Sequence, residues 1–523
     1  MDLERPRICV SICERSIDAL ATAIAGAARA ADLIEIRLDC IAGEDLKSSF
    51  DQINQLLSNS SIPAILTFRP AEQGGASDSS YEARRAFWKE QGLPSPHLCD
   101  LEIDVAEQFA REAVSSRIDW SRVICSYHDF AGGHSGRGVL DWLAGLDQIY
   151  KRLSASPAGI LKIAVQADDA IDCLPVFQLL ERGRREGREI IAIAMGTPGI
   201  ATRILGPSRG AFLTYAALEN ETATAPGQIT ARELREIYRI EGINLQTKIF
   251  GLIGQPVSHS VSPQMHNAAF AAAGAKAVYL PFEVRDIKRF IGRMTHPRTR
   301  ELDWEISGLS VTAPHKTAVM EHLDWIAPAA REIGAVNTIV VAEGLLHGYN
   351  TDAVGFLKPL IQKFGPLQGA RCAVIGAGGA ASAAIWGLKQ EAAEVTIYAR
   401  DINKAEALAG KFGGSWEGLR GARFAGLDLV INATPLGTAD EFENQTPATA
   451  QQLSGARLAY DLVYNPTGTR FLGEAREAGC ETLGGLPMLV AQAAEQYRLW
   501  TGTSAPEDVM HDAAQRGLFR SEI

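Results

Sequence analysis

The first 220 residues alternate between two textures. Short runs rich in β-branched and apolar residues, RICVSIC, DLIEIRLD, PAILTFRP, HLCDLEID, RVICSYHDF, GILKIAVQA, EIIAIAMG and GAFLTYAAL, are separated by Ala-, Leu- and charge-rich stretches of helical character such as SIDALATAIAGAARA. Apolar strands alternating with helices predict a parallel sheet covered on both faces. Eight such units in one stretch close most simply into a (β/α)8 TIM barrel, here over residues 1–240. A different pattern begins after the linker-like IEGINLQTK, where Lys248 leads into IFGLIGQPV. Within it, RCAVIGAGGAASAAIWGL reads as strand, Gly-rich turn and helix, and EVTIYAR as the next strand, together one dinucleotide-binding βαβ unit. The expected α/β architecture is therefore the barrel followed by two further lobes. Residues 248–355 form an α/β substrate lobe, to which helices in 488–523 return, and residues 356–487 form a Rossmann domain.

Length and composition fit this division. A chain of 523 residues allows roughly three domains, one of them large. With 46% hydrophobic and 22% charged residues it reads as soluble and globular. A net charge of -11 argues against nucleic acid or an anionic membrane as partner, so an anionic substrate has to meet local positive charge. Cys9, Cys99, Cys125 and Cys372 lie inside apolar runs, where thiols act as small buried hydrophobes. Reduced thiols in a cytoplasm are expected. Cys9 and Cys13 have no second pair at zinc spacing, so no metal is expected. The start MDLERPRICVSIC lacks an export or transit pattern, and no apolar run reaches membrane-spanning length.

Barrel strands are apolar inside, so charges late in these runs mark the C-terminal face, where barrels build active sites. Glu35 and Arg37 lie late in the second run, Arg69 ends the third, Glu102 is late in the fourth and His128 late in the fifth, while Lys162 sits in the sixth. Singly, each has a structural explanation, such as a snorkelling Arg69 or a core His128. Together they converge on one pocket, and stability alone gives no reason to gather them. A lysine among apolar neighbours and other cations has its amine form favoured, as a carbonyl-attacking nucleophile requires. Lys162 is the candidate imine former. His128 has the pKa class of the base that removes a proton beside the imine and hands it to a departing hydroxyl. Glu102 is expected to orient the imidazole.

These motifs resemble type I 3-dehydroquinate dehydratase over roughly Pro6 to Arg232: E-I-R at Glu35, F-R with a following G-G at Arg69, D-L-E at Glu102, S-Y-H-D at His128, K-I-A-V at Lys162 and A-P-G-Q at Ala225. The resemblance implies that Arg203 binds a substrate carboxylate. It further implies that Glu35, Arg37, Arg69, Thr224 and Gln228 hold hydroxyls and a closing loop. Thr224 stands where the family usually has Ser, and the hydroxyl is retained.

In the second half, Gly376, Gly378 and Ala381 follow a strand and open a helix, which is the context that gives a G-x-G-x-x-A turn its meaning. Arg400 ends the next strand, where NADP enzymes place a cation. Asp401 beside it fits the ribose of NAD, and Lys404 pulls back toward NADP. NADP is preferred and NAD remains open. Ser260 and Ser262 suit a carboxylate, or else cap the helix starting near Pro263. Lys316 near Asp352 suits the proton donation that carbonyl reduction needs. With SVTAPHK, AVNT, GYNTDAVG, INATPLG, DLVYNPTGT and GGLPMLVAQAA, the stretch from Lys248 to Trp500 resembles shikimate dehydrogenase. That resemblance implies catalysis by Lys316 and Asp352, with substrate held by Ser260, Ser262, Thr312, Asn337, Tyr464 and Gln492. It places the cofactor at Gly376, Ala377, Gly378, Gly379, Ala380, Arg400, Lys404, Thr434 and Gly485. Ser310 stands where many members have Asn, and Ala399–Asp401 where Asn-Arg-Thr is usual.

The expected chemistry is dehydration of 3-dehydroquinate to 3-dehydroshikimate, then reduction to shikimate with NADPH, by an enzyme of the cytoplasm. Two alternatives are quinate oxidation by the second half and an inactive regulatory copy of both. Oligomeric state is left open.

Overall fold

A computed structural model describes residues 6–41, 46–60, 62–93, 97–112, 117–131, 139–439 and 442–521. The eight apolar runs become eight strands: β1 (Ile8–Ile12), β2 (Leu33–Arg37), β3 (Ala64–Thr67), β4 (Leu98–Glu102), β5 (Val123–Asp129), β6 (Ile160–Gln166), β7 (Glu189–Met195) and β8 (Thr214–Ala216). They pair in parallel in the order β7-β6-β5-β4-β3-β2-β1-β8, and one bridge from Ile190 to Ala211 draws the ends together. The result is the nearly closed TIM-type barrel expected.

Because side chains alternate along a strand, the register decides which residues share the interior. Cys9, Leu33, Ile65, Ile124, Ile160, Ile191, Leu213 and Tyr215 form an apolar floor. Two residues further along the same strand faces, toward the C-terminal ends, the side chains turn polar: Ser11, Glu35, Thr67, Ser126 and Lys162. The site is thus a polar layer standing on a hydrophobic one.

The chain folds as two compact units, one of residues up to Thr247 with Pro281–Met294 and Thr299–Trp304, the other of the remainder. The later residues form two six-stranded sheets. The first contains β9 (Lys248–Gly254), β10 (Ala277–Glu283), β11 (Ile306–Val311), β12 (Trp325–Ile326), β13 (Thr338–Ala342) and β14 (Leu345–Tyr349). The second contains β15 (Arg371–Ile375), β16 (Glu394–Ala399), β17 (Ser415–Gly418), β18 (Leu429–Asn432), β19 (Leu458–Asp461) and β20 (Glu481–Leu483). Its order is β17-β16-β15-β18-β19-β20 with all neighbours parallel, a Rossmann-type sheet whose order reverses at β15. The helix Leu486–Thr501 packs with β9 residues and helix Ser262–Ala272 in the core of the first sheet.

The expectation of reduced thiols fails at one place. Cys13 and Cys40 are joined in a disulfide with Cα atoms 5.3 Å apart, while Cys9, Cys99, Cys125, Cys173, Cys372 and Cys480 are free and buried. The spacing of 27 residues hid the pair, because β1 and β2 are sequence-distant but adjacent, which brings the residues beyond their ends together.

His266 shows what burial does to a titratable group. Its ring is inaccessible and stacked on Tyr279 with centroids 4.4 Å apart, and burial pushes its pKa down to about 3. Between about pH 6.5 and 3 the unfolded chain binds a proton there that the folded one does not, so stability rises with pH across this window. This unit is expected to lose up to about 1.4 kcal/mol per pH unit as pH falls below about 6.5. His266→Phe should flatten that slope in urea unfolding followed at several pH values.

Candidate active site

In the barrel, the sixth strand aims Lys162 at the interior, and its Nζ meets three acceptors: Asp100 Oδ2 at 2.9 Å, Tyr215 Oη at 2.9 Å and Glu35 Oε1 at 3.4 Å. The lysine therefore sits among carboxylates and a phenol rather than in the apolar, cation-rich surroundings expected. Asp100 is wholly buried and also binds Arg69 Nη2 at 2.7 Å; despite burial, Arg69 and Lys162 hold its carboxyl far below the usual range. Glu35 also accepts from Ser11 at Oε2 (2.6 Å) and from Thr67 at Oε1 (2.8 Å). Arg37 forks onto Asp39 at 3.0 and 2.7 Å and reaches the carbonyl of Gly74. Asp39 also accepts from the backbone of Arg69 and Ala76, tying the second strand to the loop after the third.

Glu102 does not orient His128. Its carboxylate accepts from Arg69 Nη1 at 3.1 Å and Arg84 Nε at 3.3 Å, while His128 Nδ1 has no hydrogen-bond partner. The reason is register: Glu102 pairs with Ser126, so it lies one interior layer below His128. Burial pushes Glu102 up to about 7 against the pull of both arginines. His128 is driven well below the usual histidine range by burial first and then by Arg69 and Lys162, so its imidazole is neutral.

Lys162, His128, Glu35, Arg37, Arg69, Arg203, Thr224 and Gln228 all line one cleft with about 480 Å³ of empty space. Arg203, from helix Ile200–Leu205, is buried and donates to the carbonyls of Pro226 (3.2 Å) and Tyr215 (3.5 Å). Among the described residues no carboxylate pairs with it, and burial lowers its pKa to about 10. A buried cation so placed could take an anion from the cleft. Thr224 N donates to Gln228 Oε1 at 2.8 Å, which folds the A-P-G-Q turn on itself. Gly227, at φ +68°, passes so close to Gly196 that a Cβ would stand 2.2 Å from its carbonyl oxygen, so only glycine fits.

The second site is a cleft of about 1650 Å³ lined by Ser260, Ser262, Thr312, Lys316, Asn337, Asp352, Ala380, Tyr464, Gly485 and Gln492, among others. Asp352 opens the helix Asp352–Phe364, and its Oδ2 takes Lys316 Nζ at 2.5 Å. Its Oδ1 accepts from Asn337 Nδ2 at 2.7 Å. Asn337 is fixed in turn by Thr351 N (2.7 Å) and Thr338 Oγ1 (2.8 Å). Ser260 Oγ donates to Ser262 Oγ at 3.1 Å and accepts from Ser262 N, so it serves the helix start while facing the cleft. Sequence reasoning missed a chain behind these groups: Tyr279 Oη to Ser310 Oγ (2.8 Å), Ser310 to Gln496 Oε1 (2.9 Å), and Gln496 Nε2 to Thr338 Oγ1 (3.1 Å).

The turn Gly376–Ala380 joins β15 to the helix Gly379–Gln390 at the point where strand order reverses. Gly376 has φ +125°, and a Cβ there would meet the carbonyl of Ala433 at 2.8 Å, whereas the space above Gly378 is open. Free amides at a helix start beside open space fit a pyrophosphate. Thr434 is locked to Asn432 Oδ1 at 2.6 Å, and Gly485 precedes helix Leu486–Thr501. Arg400, just past the end of β16, and Lys404, in the first turn of the helix Ile402–Phe412 that follows, are both exposed. Asp401 caps the next helix, accepting from Lys404 N at 3.3 Å. Its carboxylate is engaged with the helix, which weakens the case for NAD.

The folds and sites define a class, two enzymes on one chain: a barrel lyase and a two-lobed nicotinamide-dependent oxidoreductase. Family models agree. Type I 3-dehydroquinase matches residues 8–245, the shikimate dehydrogenase substrate binding domain 252–339, shikimate/quinate 5-dehydrogenase 360–438 and the shikimate 5'-dehydrogenase C-terminal domain 485–515. The bifunctional 3-dehydroquinate dehydratase/shikimate dehydrogenase of Arabidopsis thaliana, a chloroplastic protein, is 32% identical over 96% of this chain and 83% of its own. The NADP-linked shikimate dehydrogenase of Desulforamulus reducens is 41% identical over 53% of this chain and 98% of its own. A solved shikimate dehydrogenase in complex with NADP+ superposes with TM-score 0.50 at 36% identity, covering 53% of this chain and 97% of that one. The chain belongs to the bifunctional 3-dehydroquinate dehydratase/shikimate dehydrogenase family. No helix among the described residues is long and apolar enough to cross a membrane.

Proposed function

We propose that the barrel dehydrates 3-dehydroquinate to 3-dehydroshikimate through an imine on Lys162, and that the second unit reduces that product to shikimate with NADPH. The observation that carries this is the lysine nitrogen in a polar layer, lining one cleft with a neutral imidazole and with the buried Arg203 guanidinium, whose partners among the described residues are backbone carbonyls. Arg203 binds the substrate carboxylate. Lys162 adds to the ketone and loses water, and the cationic imine acidifies the neighbouring carbon. His128 takes that proton and passes it to the departing hydroxyl. Glu102 balances the charge of Arg69 and Arg84.

In the second cleft the turn Gly376–Ala380 would hold NADPH, whose nicotinamide would supply hydride when bound. Lys316, held by Asp352, donates the proton to the carbonyl oxygen, while Asn337 keeps Asp352 aimed. Ser260, Ser262, Thr312, Tyr464 and Gln492 hold the substrate. Arg400 and Lys404 take the ribose phosphate of NADPH. Arg400→Ala is expected to lower kcat/KM for NADPH about 10- to 100-fold and leave NADH nearly unchanged, since one charge-assisted contact is lost. Steady-state assays with both cofactors check it.

The test of the whole reading is a coupled assay from 3-dehydroquinate and NADPH. Cofactor oxidation accompanied by shikimate is expected. Oxidation with 3-dehydroshikimate but none with 3-dehydroquinate would remove the barrel's activity from the proposal. The cytoplasm is the proposed site of action, supported by the six free buried thiols; the Cys13–Cys40 disulfide stands against it.

A further inference from the structure

We infer that the Tyr215 hydroxyl is a working part of the lysine site, holding the reacting nitrogen and hydrogen-bonding the oxygen expelled when the imine forms. The inference rests on the reading of Lys162 as imine former.

Tyr215 is the middle residue of β8, paired in register with Cys9, and its side chain belongs to the apolar floor. A phenylalanine would fill that floor equally well. A buried hydroxyl costs free energy unless it is bonded, and here it is bonded to the two groups that matter: Lys162 Nζ at 2.9 Å and Glu35 Oε1 at 3.4 Å. The floor does not need the oxygen; the lysine does.

The hydrogen-bond count explains why. An ammonium has three N–H donors, and Nζ finds three acceptors in Asp100, Tyr215 and Glu35. A protonated imine has one. Across the reaction the nitrogen withdraws two donors from a buried site. Asp100 keeps Arg69, and Glu35 keeps Ser11 and Thr67. Tyr215 is the only one of the three whose group both donates and accepts: it takes a hydrogen bond from Lys162 and gives one to Glu35, and that long O–H bond can be re-aimed at a departing oxygen.

Lys162 passes one proton to the neutral His128 and attacks the ketone. In the resulting carbinolamine the C–O bond breaks as the nitrogen lone pair forms C=N, and the oxygen leaves as water with the proton returned by His128. That oxygen departs from the carbon bonded to Nζ, within reach of a hydroxyl 2.9 Å from the same nitrogen. Tyr215 contributes a hydrogen bond and keeps its proton; burial raises its pKa well above the usual phenol value.

Tyr215→Phe tests this. Two readings of imine chemistry are needed: the rate at which borohydride traps an adduct on Lys162, and the rate of 18O exchange between water and the ketone of 3-dehydroshikimate without NADPH. Both are expected to fall about tenfold, with dehydratase kcat falling in step, KM within twofold and the thermal midpoint unchanged. 3-Fluorotyrosine at 215, which keeps the oxygen, should restore the rates even if the Phe variant is destabilised. Trapping and exchange at the wild-type rate in Tyr215→Phe would overturn the inference and reduce the hydroxyl to packing. Absence of any adduct in the wild-type enzyme would instead overturn the Lys162 reading, and this inference with it.

Discussion

Lys162→Ala is expected to lower dehydration of 3-dehydroquinate by about 10⁵-fold, the scale seen when a covalent nucleophile is removed. Among the described residues, Lys162 is the lysine bonded to both Asp100 and Tyr215, each at 2.9 Å. Reduction of 3-dehydroshikimate by the same chain should be unchanged, which makes it the internal reference. The substitution also strips Asp100 and Glu35 of a cation. Breaking a buried pair from one side costs about 3–5 kcal/mol, so a lower melting midpoint for the barrel should accompany the loss. Mass analysis after borohydride treatment with substrate is the direct check, and a variant retaining a tenth of the dehydratase rate would end the imine mechanism.

Lys316→Ala should reduce kcat for 3-dehydroshikimate reduction by about 10²- to 10⁴-fold, the range of general-acid contributions. KM for NADPH is expected to hold, because Arg400, Lys404 and the Gly376–Ala380 turn are untouched. Dehydration should proceed normally and 3-dehydroshikimate should accumulate, measurable by its absorbance. Loss of both activities would argue that the two sites are not independent.

How much of this was readable beforehand depended on local pattern. The barrel announced itself because every strand is a continuous apolar run, and the Rossmann turn because its glycines sit between a strand and a helix. Lys162, His128 and Arg69 stood out as charges in such runs. Asp100 did not, although in D-L-E it lies two residues before Glu102 and so on the same face. Applying the period of two to that strand would have found it, and Tyr215 likewise. The proposed partnership of Glu102 with His128 failed because adjacency of strands is legible but relative register is not; a shift of one layer hands Glu102 to Arg84 instead. The Cys13–Cys40 pair and the Tyr279–Ser310–Gln496 chain are contacts between sequence-distant residues, which no local pattern carries. Asp401 was ambiguous because an acid after a strand serves a ribose or a helix start equally well, and only the backbone geometry decides.

The barrel's staves are joined along their lengths except where the last meets the seventh, and there a lone rung from Ile190 to Ala211 does the work. Amide exchange should therefore be fastest along that joint. At the other end of that joint Arg203 bonds the Tyr215 carbonyl of the last strand and the Pro226 carbonyl, which also takes the amide of Gly196 just past the seventh, so an anion held by Arg203 would act as a rivet, slowing exchange on both sides at once.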